Sequence, residues 1–255
     1  MKTFKTAFTM LELVFVMVVI GILAVTMIPR FSKDNLSEAA IQMASHIRYA
    51  QHLAINDDRY VPDTTLSNES DQNQNVQYWY LGRWQVKIST ASSTISYSIM
   101  ADTSRSSYDG NPNATLPGYS EVAHDPLDQE KYLIGLANSA FDSGSTTHIN
   151  TKLDLGKSYN IGAISVTGGS TGSTAKRIIF DHLGRVYRGD TNLGNSTTHI
   201  NSSTDKLALS NIAIKLCKTT CSDPKNQINN SNERLIVINP ESGFVETFYN
   251  IGDSA

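Results

Sequence analysis

A single acid, Glu12, interrupts an apolar run that extends from Ala7 to Ile28. None of the other residues in that run is charged. A carboxylate buried in apolar surroundings is costly unless it is paired, so an acid placed there marks function. A cut between Ala7 and Phe8 would supply the partner. The new α-amine of Phe8 would lie four residues from Glu12, about one helical turn. With a pKa of about 8 it would be mostly cationic at neutral pH. Pairing within one chain or with a packed neighbour would offset the burial cost and set a register.

Other residues offer weaker chemistry. Cys217 and Cys221 are the only cysteines. In an exported protein they form one disulfide, which closes a five-residue loop and is worth about 2 kcal/mol on a loop-entropy estimate. A zinc site would need two further ligands at usable spacing, and no cysteine remains for it. The histidines, His46, His52, His124, His148, His182 and His199, form no recognised metal pair. Gly168 to Thr174 is rich in Gly, Ser and Thr but lacks the Gly-Lys-Ser/Thr ending of a phosphate loop. No Asp-x-Asp-x-Asp-Gly pattern marks a calcium loop. Lys176, Arg177, Arg185 and Arg188 gather on one predicted hairpin and are candidate contacts for DNA phosphates. The charge balance argues against nucleic acid. The formal charge is −3 overall, and loss of Lys2 and Lys5 would leave 19 bases against 24 acids. No catalytic constellation can be argued from spacing, so the expectation is a protein that is not an enzyme and needs no cofactor.

The chain of 255 residues is 40% hydrophobic and 18% charged, enough apolar material for a packed core. As a helix, the run from Ala7 to Ile28 would reach roughly 33 Å, which predicts a membrane span. Lys2 and Lys5 favour a cytoplasmic amino terminus, although Arg30 and Lys33 flank the other end. A secretory signal would have a shorter apolar core and an Ala-x-Ala-like cleavage site. A plain anchor would leave Glu12 unexplained. Pro29 can kink a helix without ending it. Asn35 and Glu38 then resemble a capping box. Leu36, Ala40, Met43, Ile47, Ala50 and Ala54 recur at helical spacing, which predicts an amphipathic helix to about Ile55 with one face free to cover a sheet.

Strands follow. Trp84–Ile88 and Ile95–Ile99 alternate apolar and polar residues and predict a hairpin. Ile178–Phe180 with Val186–Tyr187, and Leu235–Ile238 with Phe244–Phe248, flank turns that exit through Gly184 and Gly243. Leu207 to Leu216 predicts one further strand. Between about residues 101 and 176 the composition is polar and predicts an insertion of loops with short strands. The hexapeptide Ser-Thr-Thr-His-Ile-Asn occurs at Ser145–Asn150 and again at Ser196–Asn201. Two copies are too few for a solenoid.

Ala7-Phe8-Thr9-Met10-Leu11-Glu12-Leu13, preceded by a short basic leader and followed by the apolar run with Gly21 and Pro29, resembles the signature of the type IV pilin and pseudopilin family. The resemblance implies removal of residues 1–7 by a prepilin peptidase, N-methylation of Phe8, and docking into a filament guided by Glu12. Ala7 departs from the glycine usual at that position. The stretch from Ala39 to Asp57 and the two glycine-exit hairpins are more loosely similar to GspH/FimT-like minor pseudopilins, some of which are implicated in DNA uptake.

The resulting expectation is an α+β protein with a long N-terminal helix, membrane-spanning over 8–30 and amphipathic over 31–57, packed on a mainly antiparallel sheet domain over 58–255. It would be a minor pseudopilin of a type II secretion pseudopilus. The alternatives are a minor pilin of a type IV pilus, or a membrane-anchored periplasmic binding protein that never polymerises. Its partners would be other pilins or pseudopilins, the prepilin peptidase and methyltransferase, and an inner-membrane assembly platform. It would sit in the bacterial inner membrane as a single-pass protein with its globular part periplasmic.

Overall fold

The computed structural model describes residues 9–27, 34–57, 83–90, 95–101, 121–135, 147–169, 176–189 and 206–255. The chain divides into two units, 1–34 and 35–255. The first contains helix α1, Met10–Met27. The second contains α2, Asn35–Asn56, a 3-10 turn at Thr151–Leu153, and a short α3, Leu155–Tyr159.

The expected long N-terminal helix is not shown among the described residues. The described helices have 18, 22 and 5 residues. Among the described residues no helix is long and apolar enough to cross a membrane. The physical reason is length. The 18 residues of α1 reach about 27 Å, short of the ~30 Å hydrocarbon core that about 20 apolar residues would span. The single-pass inner-membrane placement read from the apolar run is overturned with it.

In the second unit the helical periodicity of α2 is expressed as burial. Leu36, Ala40, Met43, Ile47, Ala50 and Ala54 are buried, joined by Ala39, Ala44 and His46. Small alanines on this face let sheet side chains approach closely. The strands form two sheets, not one, and every pairing is antiparallel. The first has the order β2 (Ser96–Ala101), β1 (Trp84–Ser89), β4 (Arg177–Phe180), β5 (Val186–Gly189), β6 (Lys206–Leu207). The second has the order β3 (Ala163–Gly168), β7 (Ile212–Cys217), β8 (Glu233–Ile238), β9 (Val245–Phe248). The predicted strand over Leu207–Leu216 divides into β6 and β7, which belong to different sheets.

Register explains the core. Val86, Ile99 and Ile178 stand opposite one another across the first sheet. Ile212 faces Ile238, and Ile214 faces Ile236, in the second. Because side chains alternate faces along a strand, these residues share an inner face, and with α2 they form one buried cluster. The outer face of the second sheet carries a smaller cluster of Ala213, Ile228, Leu235 and Val237.

The described parts of the predicted insertion carry more pairing than its composition suggests. Single bridges Met100–Val122, Ser98–Ile134 and Ser96–Asp154 run along the free edge of β2. They occupy backbone groups that an open edge would otherwise present to another chain. The insertion also contributes β3. In the first copy of the repeated hexapeptide, Asn150 Oδ1 accepts from the Lys152 amide at 2.9 Å and starts the 3-10 turn. The second copy lies outside the described residues, as do Pro29 and the loop from Thr64 to Val76.

Candidate functional site

Helix α1 begins on a local hydrogen bond. The Glu12 amide donates to Thr9 Oγ1 at 3.3 Å and to the Thr9 carbonyl at 3.1 Å. Thr9 is therefore the cap, and Glu12 occupies the third position of the first turn. This Thr-x-x-Glu spacing is half of a capping box, a signal present in the sequence that the reading of Glu12 as a docking acid passed over. A carboxylate at this position also complements the positive end of the helix. The two roles are compatible, because the cap uses the Glu12 amide and leaves its carboxylate at the surface.

The rest of α1 is apolar on every side. Each side chain from Met10 to Leu23 is exposed, from Val19 at 38% to Met10 at 88%. A helix that is apolar all round is ordinarily covered on all sides. Beside Glu12 a shallow groove runs along Thr9, Leu11, Val14, Phe15 and Val18. These are neighbours at three- and four-residue spacing on one face. Ala7 and Phe8, the expected processing residues, lie outside the described residues.

The cysteines are joined. Cys217, at the end of β7, forms a disulfide with Cys221. This holds Ser222 over a buried ion pair that sequence reasoning missed. Lys215 Nζ lies 2.9 Å from Glu233 Oε2, and both side chains are essentially inaccessible. Lys215 also donates to the Ser222 carbonyl at 2.9 Å and the Pro224 carbonyl at 3.3 Å. Glu233 accepts from the Ser222 hydroxyl at 2.5 Å and amide at 2.9 Å, and from the Asn229 amide at 2.8 Å. Burial alone would raise the Glu233 carboxyl. The bonds from Ser222, Asn229 and Lys215 outweigh it and hold the carboxyl at about 2. A charged pair so fully satisfied is a clasp between the β7–β8 strands and the loop that crosses them. The sequence signal was a lysine inside the apolar strand β7 and a glutamate at the start of β8.

The four bases proposed for DNA do not form one surface. Arg177 is 1% exposed and Arg188 3% exposed. Arg188 extends from β5 to the edge of β3, where it donates to the Val166 carbonyl at 2.8 Å and the Gly168 carbonyl at 2.5 Å. It ties the two sheets together and closes an edge strand. Arg185 pairs with Asp181 at 2.8 Å, and Lys176 donates to Thr90 Oγ1 at 2.6 Å. Spacing along a hairpin brought these residues near one another, but the alternation of faces and the contact between sheets turned two of them inward.

The glycine-exit hairpins meet on α2. Gln51 Nε2 donates to the Gly184 carbonyl at 3.2 Å and the Ser242 carbonyl at 2.8 Å. Arg48 donates to the Val245 carbonyl at 2.7 Å. Gly184 and Gly243 have φ of 76° and 65°. A Cβ on Gly243 would lie 2.2 Å from Gln51 Nε2 and 2.6 Å from the Gly184 carbonyl. The glycines are thus required both by the turns and by the close approach of the helix.

Among the described residues no group of His, Cys, Asp and Glu is arranged to hold a metal ion. Comparison with family models, with curated proteins and with solved structures returned no match. The likeness to pilins therefore rests on the residues from Ala7 to Leu13 and the apolar run behind them.

Proposed function

We propose that the protein is a pilin-like filament subunit, of the minor pseudopilin type found in type II secretion pseudopili. The chain is cut between Ala7 and Phe8 and methylated at the new amine of Phe8. It then assembles through α1. The observation that carries this reading is the exposure of α1 on all sides. That surface is apolar, has no polar face to offer water, and carries one acid at its start. Helices of neighbouring subunits would cover it. Glu12 of one subunit would meet the amine of Phe8 on the next, and two opposite charges in an apolar bundle admit few alternative registers. The second unit, with its own core, would decorate the filament and take no part in chemistry.

The first test is the intact mass of the protein isolated from its producing cell. Loss of residues 1–7 together with gain of one methyl group is the expected result. A chain that keeps residues 1–7 overturns the reading, because Glu12 then has no amine to meet. The second test is Glu12→Ala in cells that assemble the filament. Incorporation should fall at least tenfold while the amount of folded subunit is unchanged.

A further inference from the structure

A file of four side chains links α2 to β2 and α3. Tyr159, in α3, donates its hydroxyl proton to Gln42 Oε1 at 2.5 Å. Gln42, on α2, donates from Nε2 to the Tyr97 hydroxyl oxygen at 3.0 Å and to the Lys152 carbonyl at 3.1 Å. Both Nε2 protons are then used. Tyr97, in β2 and fully buried, accepts from Gln42 and lies 2.7 Å from His46 Nδ1. Its own proton must go to that nitrogen, because the Gln42 amide approaches only as a donor. The directions along the file therefore assign the neutral imidazole with its proton on Nε2.

The assignment has a consequence for acid. Protonation at Nδ1 converts the imidazole from acceptor to donor. The Tyr97 oxygen would then face donors from both Gln42 and His46, and its own proton would have no acceptor in the file. Buried donors without partners are rare because they forfeit a bond to water. We propose that the Tyr159–Gln42–Tyr97–His46 file is an acid-sensitive latch that holds α3 and the segment before it against α2, and that protonation of His46 releases it.

The surroundings support the direction. Burial lowers the His46 imidazole below its usual value, and the carboxylate of Asp125 opposes this in part. Asp125 is itself engaged by the Leu127 amide at 2.8 Å and by Asn150 Nδ2 at 2.5 Å. The other titratable group that acts on the file is Glu38, on α2. Tyr49 is influenced by Asp125, and Tyr159 by Glu38. Tyr97 and Tyr159 are both raised by burial, so both phenols keep their protons. The imidazole is therefore the member of the file that changes charge as pH falls. The latch lies within the second unit and holds whether or not the subunit assembles.

The test uses the full chain, kept dispersed in mild detergent and labelled with ¹⁵N-histidine. Imidazole ¹H–¹⁵N correlation spectra are recorded from pH 8 to 5, and the His46 signal is identified by its loss in His46→Gln. The expected result is a neutral ring with its proton on Nε2 and a protonation midpoint below 6.5. In parallel, hydrogen-exchange protection of the Gly156 and Ile161 amides, which bond to the Ile95 and Leu155 carbonyls, should fall at least tenfold between pH 7 and 5. The amides of β7 should stay protected. In His46→Gln the protection of Gly156 should no longer depend on pH over that range. A neutral ring protonated on Nδ1, a midpoint at or above 6.5, or protection that survives His46 protonation would each overturn the latch. Should His46→Gln not fold, the wild-type spectra and exchange data decide alone.

Discussion

At the scale of single residues, charge placement is governed by what each charge meets. Glu12 has solvent and the start of a helix, whereas Glu233 has three donors and a lysine inside the protein. The second arrangement fixes a pH dependence. The folded carboxyl titrates at about 2 and the free one at 4.5, so the unfolded chain binds more protons between those values. The stabilisation is complete above about pH 5 and is lost as pH falls through that window. Urea denaturation of the wild type should show it. Glu233→Gln leaves Lys215 buried and uncompensated and should cost about 3–5 kcal/mol at pH 7. The gap between wild type and variant should narrow as pH falls toward 3. A gap that stays constant would mean the pair does not carry the effect.

At the scale of elements, α2 is where local pattern and long-range contact agree. Its apolar stripe was legible because burial repeats every 3.6 residues and each apolar residue reports on the same face. Its polar residues were not legible in the same way. Gln51 and Arg48 lie off that stripe, yet they bind hairpin turns from both sheets. The consequence is testable at Gly243. A side chain there is strained by the positive φ and meets Gln51, so Gly243→Ala should destabilise the second unit by about 1–3 kcal/mol. Gln51→Ala, which removes the nearer of two obstacles and two bonds but leaves the Gly184 carbonyl, should make the two substitutions non-additive in a thermal-denaturation cycle. Strict additivity would show that the helix does not press on the turn. Strand β3 was missed for a different reason. Ile164 and Val166 alternate correctly, but Gly and Ser surround them, and the strand gains its order from pairing with β7.

At the scale of the whole molecule, the two units differ in what they can do alone. Residues 35–255 contain a core shared by α2 and both sheets. Residues 1–34 contain an apolar helix whose described side chains are exposed. Sedimentation in detergent-free buffer should therefore find residues 35–255 monomeric and the full chain associated. Association of the shorter chain would place the assembly surface in the second unit and remove α1 from the central role proposed for it. By itself the sequence determined the features that depend on neighbours a few residues away: the apolar face of α2, the three hairpins, the cysteine loop, and the motif around Glu12. These are set by periodicity, turn geometry and chain proximity, which act over short spans. The tertiary structure alone decided that the strands form two sheets, that β1 pairs with β4 and β3 with β7, and that Arg177, Arg188, Lys215 and Glu233 lie inside. Those outcomes turn on contacts between segments far apart in the chain, where the cost of burying a charge is met by partners that no local pattern announces.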